Sequence, residues 1–190
     1  MIAAVVPAAG KGERFAAAPS AKLLVDVRGE PLITHTIRCL LDGGAGLVVV
    51  VISPESVVQP TAVPLLSDPR IRLVVNPDPS RGMFSSIQIG VAAADGDPIL
   101  VLPGDMPFVQ RETVGAVIAA FARTRQVVSP RFAGRRGHPI ALPASLRVPI
   151  AAADPAGSLN TLLAGHAGAR VDLDVSDRGI LRDVDVAGDL

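Results

Sequence analysis

A chain of 190 residues with 18 Lys plus Arg and 18 Asp plus Glu carries no net charge, and only 3% of it is aromatic. Neither a basic field nor a stacking platform therefore favours nucleic acid or an anionic membrane surface, and a single cysteine excludes an intrachain disulfide framework or a zinc site of several thiolates. Its apolar residues come in short runs broken by Gly and Pro, none near the ~20 residues that span a bilayer, and the N-terminus lacks a signal-peptide pattern. The expectation is one domain, residues 1–190, soluble and cytoplasmic.

The first predicted strand, IAAVVPA (2–8), runs into AGKGERF (9–15). Glycines at 10 and 12 remove Cβ where backbone must approach a ligand, and Lys11, Arg14 and Lys22 add cations within a short stretch. The segment reads either as a plain strand-to-helix turn or as a phosphate cradle built from backbone amides. A P-loop spacing is absent, and the dinucleotide fingerprint G-x-G-x-x-G fails at Phe15, so neither motif is supported. LITHTIRCLLDGG (32–44) predicts a helix ended by Gly43 and Gly44. Cys39 falls among Ile33, Ile37, Leu40 and Leu41 at helical spacing, as expected of a buried structural thiol. LVVVVIS (47–53) is a strand covered on both faces.

IRLVVN (71–76), PILVLPGD (98–105) and QVVSPR (126–131) repeat the strand theme, with helical spacing in MFSSIQIGVAAAD (83–95) and RETVGAVIAAFAR (111–123) between them. GHPIALP (137–143), SLNTLLAGH (158–166) and ARVDLDV (169–175) predict a strand, a short helix and a last strand. Alternation of this kind defines an α/β chain: a three-layer α/β/α architecture around a mostly parallel, Rossmann-like sheet. Ligands of such sheets bind at the carboxyl ends of strands, which singles out the Gly10 loop, NPDPSRGMFSS (76–86) and PGDMP (103–107).

Asp105 follows an apolar strand and should project into that crevice, as a hard-cation ligand or as a helix cap. Near the C-terminus, Asp183, Asp185 and Asp189 crowd together; if that segment is extended, Asp183 and Asp185 share a face. It offers a second metal ligand in Asp185, or a solvated acidic tail. Ser85 and Ser86 read either as part of a base-binding segment or as first-turn capping residues. His35 and His166 fall in helical patterns and read as structural, and no two histidines have metal-ligand spacing.

Taken together, these stretches resemble a known family. VPAAGKGERF with AKLL (21–24), NPDPSRGMFSSIQIGV, LPGDMPFV, RRGHPIALP and GILRDVDVAGDL resemble, in order, the signature segments of nucleotidyltransferases with the glycosyltransferase-A-like fold, in the branch of molybdenum cofactor cytidylyltransferases. Departures occur at Phe15, at the alanine-rich insertion after it, at Phe84 and in VAGDL. The resemblance implies an Mg²⁺-dependent transfer of NMP from an NTP, CTP foremost, to molybdopterin, with a molybdoenzyme as a further partner. It leaves open guanylyl transfer to the same cofactor, transfer to a sugar or polyol phosphate, or a non-catalytic cofactor chaperone. By resemblance, Gly10, Gly12 and Arg14 hold the triphosphate, with Ala8 and Ala9 beside base and ribose. Lys22 neutralises the α-phosphate, and Asp105, with Asp185, holds Mg²⁺. Asn76, Ser80, Gly82 and Ser85 read the nucleobase through backbone groups, and Arg136 and His138 bind the acceptor.

Overall fold

The computed structural model describes residues 1–10, 19–166 and 170–185. Strand β1 (Ala3–Pro7) lies inside the sheet between β4 (Leu47–Ile52) and β6 (Ile99–Val101), parallel to both. Beyond β4, β5 (Ile71–Val75) is a parallel edge strand. Two short strands, β2 (Asp26–Val27) and β3 (Glu30–Pro31), form a separate antiparallel ribbon. The other half of the main sheet holds β7 (Val127–Phe132), β8 (Arg135–Arg136), β9 (Ile140–Leu142) and β10 (Arg170–Asp174). The order across it is β10-β7-β9-β6-β1-β4-β5, with β8 attached to β7.

The sheet is mostly parallel, as the sequence predicts. Two strands depart: β9 runs antiparallel to both β6 and β7, and the short β8 antiparallel to β7. The 133–139 connection is too short for a crossover helix, which a parallel neighbour would require, so the chain turns back at Ala133 and Gly134, both at positive φ. The predicted helices are present as α1 (Leu32–Asp42), α2 (Met83–Ala93), α3 (Arg111–Thr124) and, after a short helix α4 (Arg147–Ala152), α5 (Leu159–Gly165). No helix among the described residues is long and apolar enough to cross a membrane.

Period-two alternation along β1 and β4 sorts the core into two layers. Ala4, Val6, Val48 and Val50 point to the face that packs against Ile33, Ile37 and Leu40 of α1 and Val117 and Phe121 of α3. Ala3, Val5, Val49 and Val51 point to the other face, against Phe84, Ile87 and Val91 of α2 and Leu159 and Leu163 of α5. Cys39 is buried in the first layer, and burial pushes its thiol up to about 12, so at neutral pH it stays protonated and inert, as expected.

Helix α2 lies close to the sheet at Gly90. A Cβ there would sit 2.3 Å from Val5 Cγ1 and 3.0 Å from Val51 Cγ2. Both neighbours are fully buried strand side chains. Gly90→Ala is therefore expected to destabilise by about 1–3 kcal/mol through overpacking, overriding the ~1 kcal/mol of helix propensity that alanine adds. A urea melt checks this: the midpoint falls while the m-value holds.

Candidate functional site

Backbone hydrogen bonds tie the strand ends into one rim. The Ala8 N–H donates to Val51 O at 2.8 Å, Leu102 N–H to Val5 O at 3.1 Å, and Gly104 N–H to Pro7 O at 3.1 Å. Above this rim, at the carboxyl ends of β1, β4 and β6, opens a cleft of about 420 Å³. Ala8, Ala9, Gly10, Lys22, Gly82 and Asp105 all line it, which brings together residues drawn from three separate sequence motifs. Gly12 and Arg14, with Lys11, lie outside the described residues.

At the floor of the cleft the Lys22 ammonium donates to Asp105 Oδ2 at 2.9 Å and to Asp185 Oδ1 at 2.8 Å. Each member of the trio is set in place by a different part of the chain. Lys22 stands on a 3₁₀ turn, Pro19–Leu24. The Asp105 loop is pinned from below, where the fully buried Thr36 donates its hydroxyl to Gly104 O at 3.1 Å. Asp185 arrives on a strap clipped to that loop: Val184 N–H donates to Asp105 O at 2.9 Å, and the Val184 side chain is buried with Val27 and Leu32. The 182–185 segment forms no strand, and Val184 takes its inward position. Asp183 is exposed, so among the described residues of the acidic run it is Asp185 that reaches the trio.

The Lys22 side chain is 10% exposed, against 22% for Asp105 and 39% for Asp185. Burial opposes the ammonium charge, but the hydrogen bonds from it to Asp185 and Asp105 outweigh that cost, and the Lys22 pKa is raised. Since its normal value is already about 10.4, the ammonium stays charged through the neutral range. Two carboxylates converging on one cation are a hard-oxygen donor pair. That donor pair matches the way Mg²⁺ is held, by one or two carboxylates completed by water and substrate phosphate. Among the described residues no group of three or more His, Cys, Asp or Glu side chains is placed to hold a metal.

The 76–86 segment is held by a buried polar knot. Asn76, 2% exposed, donates from Nδ2 to Ser85 Oγ and Ser86 Oγ, both at 2.9 Å, and accepts from Asp78 N–H at 3.0 Å. Ser85 donates onward to Gly82 O at 2.7 Å, and Ser80 donates its hydroxyl to Asp78. The Asn76 and Ser85 side chains are thus consumed in shaping the loop, and what the segment presents to the cleft is Pro79, Gly82, Met83 and Ser86. Gly82 takes φ 96°, ψ 171°, a conformation closed to residues with a Cβ. Helix α2 begins there with no side-chain cap, so its positive end is turned to the cleft. Asn76→Ala is expected to cost about 2–3 kcal/mol, because it removes the buried donor to two serine oxygens and leaves the turn amide of Asp78 without its acceptor. Thermal unfolding measures the loss, and a rise in KM for the nucleotide with little change in kcat would show that the loop serves binding.

Asn76, Ser80, Ser85 and Asp185 stand behind the cleft lining without joining it, and the two residues predicted for the acceptor lie away from it. Arg136 is exposed on β8 and forms a two-pronged ion pair with Asp172 at 2.6 and 3.0 Å. His138 is half-buried behind the hairpin, with Nδ1–H donating to Val101 O at 3.2 Å. Burial lowers its pKa, which keeps the ring neutral. Asp189 lies outside the described residues. Conversely, Ser53, Glu55 and Ser56 line the cleft and were missed from sequence. They directly follow β4, so the strand-end rule applied to Gly10 and Asp105 would have found them.

The chain belongs to the MobA-like NTP transferase domain family, matched over residues 4–171, and is a nucleotidyltransferase. Its fold is that of the nucleotide-diphospho-sugar transferases. It is 34% identical to nicotine blue oxidoreductase of Paenarthrobacter nicotinovorans, over 97% of this chain and 92% of that one. It is 33% identical to 2-C-methyl-D-erythritol 4-phosphate cytidylyltransferase of Streptomyces avermitilis, over 67% of this chain and 52% of the relative. Among solved structures it superposes on Rv0371c of Mycobacterium tuberculosis with a TM-score of 0.85 at 23% identity, covering 99% of this chain and 94% of the other. That protein has also been solved in complex with manganese.

Proposed function

We propose that this nucleotidyltransferase moves NMP from an NTP, CTP foremost, to the phosphate of a molybdopterin-type acceptor, with release of pyrophosphate and with Mg²⁺ held by Asp105 and Asp185. The observation that carries the metal and phosphate part is the convergence of Asp105 and Asp185 on one cation at 2.9 and 2.8 Å, beneath a rim of small residues and backbone. The choice of CTP is supported by the relative that is itself a cytidylyltransferase, and a divalent ion by the structural neighbour solved with manganese. The molybdopterin acceptor rests on the family resemblance of the segments quoted above. The whole chain serves as the one transferase domain, and a cytoplasmic molybdoenzyme would receive its product.

In this reading an acceptor phosphate oxygen forms a bond to the α-phosphorus while the bond to the pyrophosphate oxygen breaks. A phosphate monoester is already anionic at neutral pH, so no side chain need remove a proton. The protein's task is to position the two anions and neutralise their charge. Asp105 and Asp185 would hold the divalent ion, whose chemistry there would be to neutralise phosphate charge. The Lys22 ammonium, drawn off the two carboxylates, would stabilise charge on the α-phosphate. Gly10, Gly12 and Arg14 cradle the triphosphate, and Ala8 and Ala9 lie against base and ribose. Gly82 and Ser80 offer backbone groups to the base, while Asn76 and Ser85 hold them in position. For the acceptor, Arg136 would exchange Asp172 for the ligand, beside His138.

The test is pyrophosphate release from CTP, GTP, ATP and UTP with molybdopterin, with and without Mg²⁺. CTP dominating with molybdopterin and metal supports the reading, and another base or a sugar phosphate winning replaces the donor or the acceptor. A redox reading is favoured by one observation, the 34% identity to nicotine blue oxidoreductase over nearly the whole chain. Substrate reduction with no pyrophosphate from any acceptor would select it.

A further inference from the structure

A second cavity, of about 320 Å³, lies at the other end of the sheet, where β7 and β10 begin. Val127, Leu146 and Leu163 give it apolar walls, and Arg125, Arg170 and His166 supply its basic groups. Arg125 is accounted for: it forms an ion pair with Asp97 and sits 5.1 Å from the centroid of the Phe121 ring.

Arg170 is not. Its Nε and Nη2 donate to Ser129 Oγ at 3.1 and 2.8 Å, a fully buried and uncharged hydroxyl. Among the described residues no carboxylate lies within ion-pair distance of Arg170. Asp172 is taken by Arg136 at 2.6 Å. Burial and then repulsion from Arg136 disfavour the Arg170 charge, and attraction from Asp172 offsets them only in part. A guanidinium does not escape by losing its proton, and a half-buried cation whose nearby carboxylate is already paired elsewhere is costly. A negative group from outside the described chain would complete the pairing, and the cavity beside Arg170 has apolar walls to receive the rest of such a ligand.

We propose that this cavity is a second ligand site for a small organic anion, its carboxylate or phosphate headgroup on Arg170 and His166 and its compact apolar body against Val127, Leu146 and Leu163. The site shares no lining residue with the transfer cleft and stands independently of the reaction assigned there.

The test is an amide-shift titration of the full chain by NMR, without nucleotide, using phenyl phosphate, benzoate and inorganic phosphate at constant ionic strength. Saturable shifts are expected at Val127, Leu163 and Arg170 and not at Ala8 or Asp105, with inorganic phosphate the weaker of the two phosphates. The stronger of phenyl phosphate and benzoate identifies the headgroup. Arg170→Lys, which keeps the charge and loses the planar fork, is expected to weaken binding about tenfold. Leu163→Trp, which fills the cavity, should abolish it and serves as the readout if Arg170→Lys fails to fold. The proposal is overturned if the shifts are absent, map only to the Asp105 cleft, or persist unchanged in both variants.

Discussion

Asp105→Asn is expected to lower kcat/KM for pyrophosphate release by about a thousandfold, equal to ~4 kcal/mol of transition-state stabilisation, while the fold survives. The amide that replaces the carboxylate would keep a side-chain oxygen to accept from the Lys22 ammonium. The loop around it is held by contacts that the substitution leaves alone: Thr36 Oγ1 to Gly104 O, and Val184 N–H to the backbone carbonyl of the substituted residue. What is lost is one of two anionic oxygen donors, and with it most of the attraction for a hard divalent ion. The measurement is paired: pyrophosphate release across a metal titration, and a thermal melt. Loss of release with a melt within a few degrees of the parent supports the assignment. Retained release in either Asp105→Asn or Asp105→Ala would end the case for a metal at this position.

Lys22→Met separates the two tasks assigned to Lys22. In the structure its ammonium occupies the point where both carboxylates converge, so any incoming metal must compete with it. In the proposed transfer, the same charge would be wanted on the α-phosphate. Removing it is expected to lower kcat about a hundredfold or more, as for loss of one preorganised charge donor, with a smaller change in NTP affinity. In the absence of nucleotide, divalent metal should bind the freed carboxylate pair more tightly than in the parent. A larger upward shift of the melting temperature at a given metal concentration would report this. Equal losses of kcat and NTP affinity would overturn a preference of Lys22 for the transition state, and a metal shift no larger than in the parent would show that its ammonium does not compete for the site.

Much of the fold was legible because its signals are local. An unbroken apolar run such as Leu47–Ile52 suits only a strand covered on both faces, and the spacing of Ile33, Ile37, Leu40 and Leu41 gives α1 a buried stripe. The reversed β9 was not legible. Its residues, Ile140–Leu142, read as apolar in either direction, and direction depends on the length and turn of the connection before it. The β2–β3 ribbon was missed because two-residue strands carry no periodicity.

For the site, residue type and strand-end position alone marked the Gly10 loop, the 76–86 segment and Asp105 as facing one crevice. Three matters were decided only by the tertiary structure. Asp185 joins the trio because Val184 is buried and clipped to the Asp105 carbonyl, a contact between segments with no local trace. Asn76 turns out to hold the loop in place, because its amide faces the hydroxyls of Ser85 and Ser86 across the start of α2. Arg136 is engaged by Asp172, which reaches it across β7 from β10. By itself the sequence determined most of the elements and singled out three strand ends, since these follow from short-range periodicity and side-chain type, while the class of chemistry came from the resemblance of its segments to a known family. Which charges meet was settled by packing: Lys22 is 83 positions from Asp105 and 163 from Asp185, and at such separations only the assembled sheet brings an ammonium between two carboxylates.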